Sequence, residues 1–118
     1  MNKLIFVLED NQEILNIITM VLKENYQIIG AETVSEFYAL LPTLRPALCL
    51  LDVMLPDGNG LEVCQKIKAA PETAHISAII MTASSQIAKM KEASCADDYI
   101  AKPFDIDDLE YRIAGLIP

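Results

Sequence analysis

Uninterrupted apolar runs alternate along this chain with segments whose apolar residues recur at helical spacing. Leu4–Leu8 is a short run of strand formers that stops at two acids. In the next segment, Asn11–Glu24, Ile14, Leu15, Ile18, Val21 and Leu22 fall on one helical face. Tyr26–Ala31 reads as a second strand. Thr33–Leu41 reads as a second helix, with Thr33 as N-cap and Glu36 completing a capping box. Pro42 marks its expected stop. Ala47–Leu51 is a third strand that ends at Asp52, and Pro56–Gly60 reads as a turn. Gly60–Ala70 is a third helix ended by Pro71, because proline has no N–H to continue the ladder. Ser77–Met81 is the fourth strand, Ser84–Ser94 a short fourth helix, and Tyr99–Ala101 the last strand. Asp105–Leu116 is the last helix, with Asp105 as N-cap and acids in the first turn, where they oppose the positive end of the helix dipole.

The order is five strand–helix units. Strands without polar alternation are covered on both faces, which predicts a parallel sheet between two helical layers. In such sheets the functional crevice lies beyond the carboxyl ends of the strands. The residues found there are Glu9 and Asp10, Asp52, Thr82 and Lys102; only the second strand ends without such a group. Three crowded carboxylates repel one another unless a cation offsets them. All-oxygen ligation suits a hard ion, Mg2+ ahead of Ca2+. A carboxylate and a metal beside a hydroxyl and an ammonium describe a phosphoryl site, with the carboxylate as nucleophile. The glycines form no phosphate loop ahead of a helix, so nucleotide binding is not indicated.

Composition narrows the picture further. The 118 residues fit a single domain over 1–118, with no repeat, low-complexity tract or linker. Hydrophobic residues make up 53% of the chain, but the runs are far shorter than a membrane span requires, and the N-terminus is too short for a secretory signal. A cytoplasmic location is expected. Net charge is −8 with nine scattered basic residues, which argues against a nucleic-acid surface. Cys49, Cys64 and Cys95 share no metal-type spacing and are expected to be reduced, packed thiols. His75, in the loop after the third helix, is expected to be exposed and without a role.

LEDN, DVMLPDGNG, MTA and DDYIAKPF, in this order and spacing, resemble the receiver domain of two-component response regulators over essentially the whole chain. The resemblance implies a flavodoxin-like (βα)5 three-layer α/β sandwich with strand order 2-1-3-4-5. It implies that Asp52 accepts a phosphoryl group from a sensor histidine kinase or phosphotransfer protein. Asp10 would bind Mg2+ directly, Glu9 chiefly through water, and Asp52 and the Met54 backbone carbonyl would complete the protein ligands. Thr82 and Lys102 would hold phosphoryl oxygens, Thr82 and Tyr99 would act as the switch, and the Lys102–Pro103 bond would be cis. The resemblance also implies a signal carried by the fourth helix, fifth strand and last helix, a face relatives use for homodimerisation and for controlling an output domain or partner. Catalysis would be limited to the domain's own Mg-dependent phosphorylation and dephosphorylation.

Two departures stand out. The stretch between Thr82 and Lys102 is shorter than the family usually shows, and Cys95 stands in SCADDY where glycine is expected. A glycine there often serves a left-handed turn closing a helix, so the fourth helix is expected to be short or shifted. Two other function classes fit these residues less well. A phosphorylation-independent interaction module would have no use for all of Glu9, Asp10, Asp52, Thr82 and Lys102. An aspartyl-phosphate phosphatase would need an acid where Met54 stands.

Overall fold

The computed structural model describes residues 2–83, 89 and 96–118. Among these described residues, seven strands and four helices follow one another as β1 (Lys3–Leu8), α1 (Gln12–Leu22), β2 (Tyr26–Ala31), α2 (Val34–Leu44), β3 (Leu48–Asp52), β4 (Met54–Leu55), β5 (Gly58–Asn59), α3 (Gly60–Ala69), β6 (Ser77–Ala83), β7 (Asp98–Lys102) and α4 (Ile106–Leu116). Five strands form a parallel sheet in the order β2-β1-β3-β6-β7, the flavodoxin-like order expected. The short fourth helix expected over 84–94, and Cys95 after it, lie outside the described residues.

The pleat of the sheet sorts its side chains into two cores, since alternate residues of a strand point to opposite faces. Ile5, Val7, Leu48, Leu50, Ile79, Met81 and Ile100 pack with Ile18 and Leu22 of α1 and with Leu109 and Ile113 of α4. Phe6, Leu8, Cys49, Leu51, Ile80 and Tyr99 pack with Phe37 and Leu41 of α2 and with Val63, Cys64 and Ile67 of α3. Phe6 and Phe37 stack with centroids 4.4 Å apart. Burial lifts the Cys49 thiol to about 12, so it is inert as a nucleophile at neutral pH.

Helix α1 is capped by Asn11, its Oδ1 accepting from the N–H groups of Glu13 and Ile14. Two local expectations change. Helix α2 does not stop at Pro42 but continues to Leu44 and ends on Arg45 in the left-handed region (φ 48°). Proline here removes one bond near the helix end, and Leu41 and Leu44 on the same turn still pack against the core, which outweighs that loss. The turn expected over Pro56–Gly60 is tighter: Pro56 and Asp57 join the antiparallel β4–β5 ribbon, and Gly60 already belongs to α3. The expected caps Thr33 and Asp105 are in place, accepting from Glu36 N and Asp107 N. The Glu36 carboxylate reaches back to Glu32 N rather than to Thr33 N.

Candidate functional site

Strand register assembles the site. Leu8 of β1 pairs with Leu51 of β3, so the residues that follow them, Glu9 and Asp52, lie side by side at the carboxyl edge of the sheet. Asp52 pairs with Met81 of β6, and Ala83 pairs with Lys102 of β7. Glu9, Asp52 and Lys102 share the pleat parity of the core beneath α1 and α4. Thr82 and Tyr99 carry the opposite parity, that of the core beneath α2 and α3.

Lys102 bridges the two buried carboxylates. Its Nζ lies 2.7 Å from Glu9 Oε1 and 3.1 Å from Asp52 Oδ2. Glu9 is 1% exposed and Asp52 8%. The other Glu9 oxygen accepts from Asn11 N at 3.1 Å. Burial raises the Glu9 carboxyl above its ordinary value, and the Asp52 charge adds to this, while the Lys102 hydrogen bond opposes both. For Lys102 burial acts downward, but the Glu9 hydrogen bond and the Asp52 charge outweigh it and the ammonium is held above its usual range. The Lys102–Pro103 peptide bond is cis.

Glu9, Asp10 and Asp52 each offer one carboxylate oxygen, and these atoms lie within 4.8 Å of one another. Asp10 is exposed, so the cluster has two buried walls and one side open to water. An all-oxygen donor set with an open side fits Mg2+, which retains several of its waters. Thr82 is 4% exposed and Tyr99 7%, the latter packed in the core beneath α2 and α3. The Met54 side chain, two residues past Asp52, is 80% exposed. His75 is exposed in the loop just before β6, at the opposite end of that strand from Thr82.

Three residues of this region were not singled out from the sequence. Gly60 is the first: a Cβ there would overlap the Asp52 carbonyl oxygen and lie 2.8 Å from its carbon. The end of β3 therefore rests directly on the first turn of α3, held further by Gly60 N donating to Val53 O at 3.0 Å. Its only sequence signal is a glycine opening a helix after a strand-end acid. Asn11 is the second; as a good capping residue beside an equally good one, it could have been weighed against Asp10. Asp57 is the third. Its carboxylate accepts from Val34 N at 2.7 Å and Ser35 N at 3.0 Å, and these two bonds hold its carboxyl below the usual range. No local pattern announces a partner 23 residues away.

Among the described residues, no helix is long and apolar enough to cross a membrane. Similarity to known proteins points the same way as the geometry. Histidine kinase P4 of Formosa agariphila is 33% identical over 115 residues, and the transcriptional regulator RpaA of Synechocystis is 33% identical over 116. Each alignment covers 96% of this chain, but the chain spans only 8% and 48% of those proteins. The signal receiver domain of a histidine kinase from Syntrophus aciditrophicus superposes with a TM-score of 0.88 at 26% identity, covering 98% of this chain and 89% of that one. A BeF3-activated DrrB receiver domain superposes with a TM-score of 0.85 at 29% identity, covering 99% and 98%. The family described as response regulator receiver domain matches residues 5–114, which takes in every strand end that builds the acidic crevice. The chain thus belongs to the receiver domain family of response regulators.

Proposed function

We propose that this chain is the phosphoacceptor of a two-component phosphorelay, modified on Asp52. The observation that carries the reading is the convergence of three carboxylates and one ammonium at neighbouring strand ends. An Asp52 carboxylate oxygen attacks phosphorus of a phosphohistidine. A P–O bond forms, the P–N bond breaks, and the histidine nitrogen leaves with its electron pair and takes up a proton. The donor is a sensor histidine kinase or a phosphotransfer protein.

Glu9, Asp10, Asp52 and the Met54 backbone carbonyl are the groups that would hold Mg2+. When bound, the ion supplies positive charge against the phosphoryl oxygens. Lys102 already sits against Asp52, so its ammonium can pair with a phosphoryl oxygen formed there, relinquishing Glu9. The Thr82 hydroxyl, at the end of the adjacent strand, donates to another. Its movement toward Asp52 vacates space on the face where Tyr99 packs, biasing two arrangements of the surface around β7, α4 and the segment between β6 and β7. That surface would control an output domain or partner and could pair with a second copy. Catalysis is confined to the domain's own phosphorylation and dephosphorylation, and the cytoplasm is the compartment this chemistry implies.

The test is intact mass after exposure to acetyl phosphate with Mg2+. One added phosphoryl group, lost when EDTA is present and absent from Asp52→Asn, is expected. Folded wild-type protein that gains no mass would overturn the reading in favour of a phosphorylation-independent interaction module.

A further inference from the structure

The loop that leaves Asp52 is a closed excursion. Its base is shut by Gly60 N donating to Val53 O at 3.0 Å, with Val53 N donating to Met81 O at 3.2 Å. Its arms are the two-residue strands β4 and β5, and its tip is Pro56–Asp57. So short a ribbon has little stability of its own. Of its apolar side chains, Met54 is 80% exposed and only Leu55 packs against the core.

The tip is nevertheless fixed. The Asp57 carboxylate spans the first two N–H groups of α2, at 2.7 Å from Val34 N and 3.0 Å from Ser35 N. Gly58 lies so near that a Cβ there would come within 2.9 Å of Val34 Cγ2. As a helix cap Asp57 is an addition, because Thr33 occupies the N-cap position and serves Glu36 N at 3.0 Å. What Asp57 adds is a pair of hydrogen bonds between the ribbon tip and α2, to residues 23 and 22 positions earlier in the chain.

We infer that Asp57 is a positioning residue for the phosphoacceptor site: by tying the ribbon tip to α2, it holds the segment that presents the Met54 carbonyl beside Asp52. The inference rests on the reading given under Proposed function. Its consequence is specific. Cutting the tether leaves Asp52 in place at the end of β3, and Glu9 and Asp10 in place just past β1, but frees the backbone ligand, so Mg2+ affinity falls while the capacity to be phosphorylated at saturating Mg2+ persists.

The experiment compares Asp57→Ala, Asp57→Asn and Thr33→Ala with wild type, by calorimetric titration with MgCl2 and by acetyl phosphate labelling across Mg2+ concentrations. Asp57→Ala should weaken Mg2+ binding roughly tenfold, the scale on which removal of an outer partner acts on a metal site. Labelling at saturating Mg2+ should stay near wild type, and Asp57→Asn, which keeps one acceptor oxygen, should fall between. Thr33→Ala weakens the same helix end without touching the ribbon and should bind Mg2+ as wild type does. The Asp57→Ala loss should persist at high salt, which screens a through-space charge effect. Wild-type affinity in Asp57→Ala, an equal loss in Thr33→Ala, or a loss that high salt abolishes would each overturn the inference. A wild-type protein that binds no Mg2+ and takes no phosphoryl group would instead sink the underlying reading, and this inference with it.

Discussion

Lys102 Nζ donates to Glu9 Oε1 at 2.7 Å, closer than its 3.1 Å approach to Asp52. The ammonium is thereby shared between the carboxylate that would receive a phosphoryl group and a neighbour that is almost entirely buried. An unpaired carboxylate in that position would be costly, since burial already raises the Glu9 carboxyl despite the lysine. The lysine therefore stabilises the acidic crevice of the unmodified protein.

Lys102→Met should destabilise the metal-free protein by about 3 kcal/mol, near the low end for removing one partner of a buried pair because the lysine keeps some exposure. Urea unfolding in EDTA measures this. Repeating the titration with Mg2+ should shift the variant's midpoint more than the wild type's, because the ion no longer competes with the ammonium for the same oxygens. An equal shift in both proteins would mean that Lys102 and the ion do not share those ligands.

Asp10 and Asn11 are adjacent and both suited to capping, yet Asn11 caps α1 while Asp10 belongs to the carboxylate cluster with Glu9 and Asp52. Asn11→Ala should cost about 1 kcal/mol with or without metal, as loss of an N-cap does. Asp10→Asn should leave metal-free stability unchanged or raise it, by relieving repulsion. It should also abolish most of the Mg2+ gain, which for wild type at a hundredfold excess over Kd is about 2.7 kcal/mol. Thermal melts of the three proteins with EDTA and with Mg2+ separate the roles; a capping loss in Asp10→Asn would contradict the assignment.

The same pair shows what could be read from the chain alone. The buried parallel sheet was legible because runs such as Ala47–Leu51 have no polar alternation, and the crevice was legible because strand ends carry the chemistry in such sheets. The choice between two neighbouring caps was not, since propensity ranks Asp and Asn alike. Helix α2 runs past Pro42 because the packing of Leu41 and Leu44 is tertiary, whereas the proline penalty is local. The Asp57 tether joins a loop to a helix far back in the chain, and no spacing rule connects them.

Gly60 should tolerate no side chain. The Cβ of Gly60→Ala would meet the Asp52 carbonyl, a backbone group fixed in the sheet, so either β3 or α3 must shift. About 3 kcal/mol is expected by denaturant unfolding, the upper part of the overpacking range. Gly58→Ala meets only the Val34 side chain, which can move, and should cost about 1 kcal/mol. Equal losses at the two positions would show that the β3–α3 contact is looser than this geometry.

The Asp57 carboxylate should also leave a mark on the pH dependence of stability. Its two helix N–H partners, Val34 first, lower its carboxyl below the ordinary 3.8 in the folded protein. A depressed carboxyl contributes stability that is present above the unfolded-state value and fades as pH falls through the folded-state value. Asp57→Asn should therefore melt below wild type at neutral pH and down to about pH 5, with the gap closing below pH 4 as the wild-type carboxyl takes up its proton. The charged groups that remain near this end of α2, Glu32 and Glu36, are common to both proteins and cancel in the comparison. Thermal melts of the pair across acidic buffers measure the gap. A difference that stays constant to pH 3 would mean that the side chain acts through shape rather than charge.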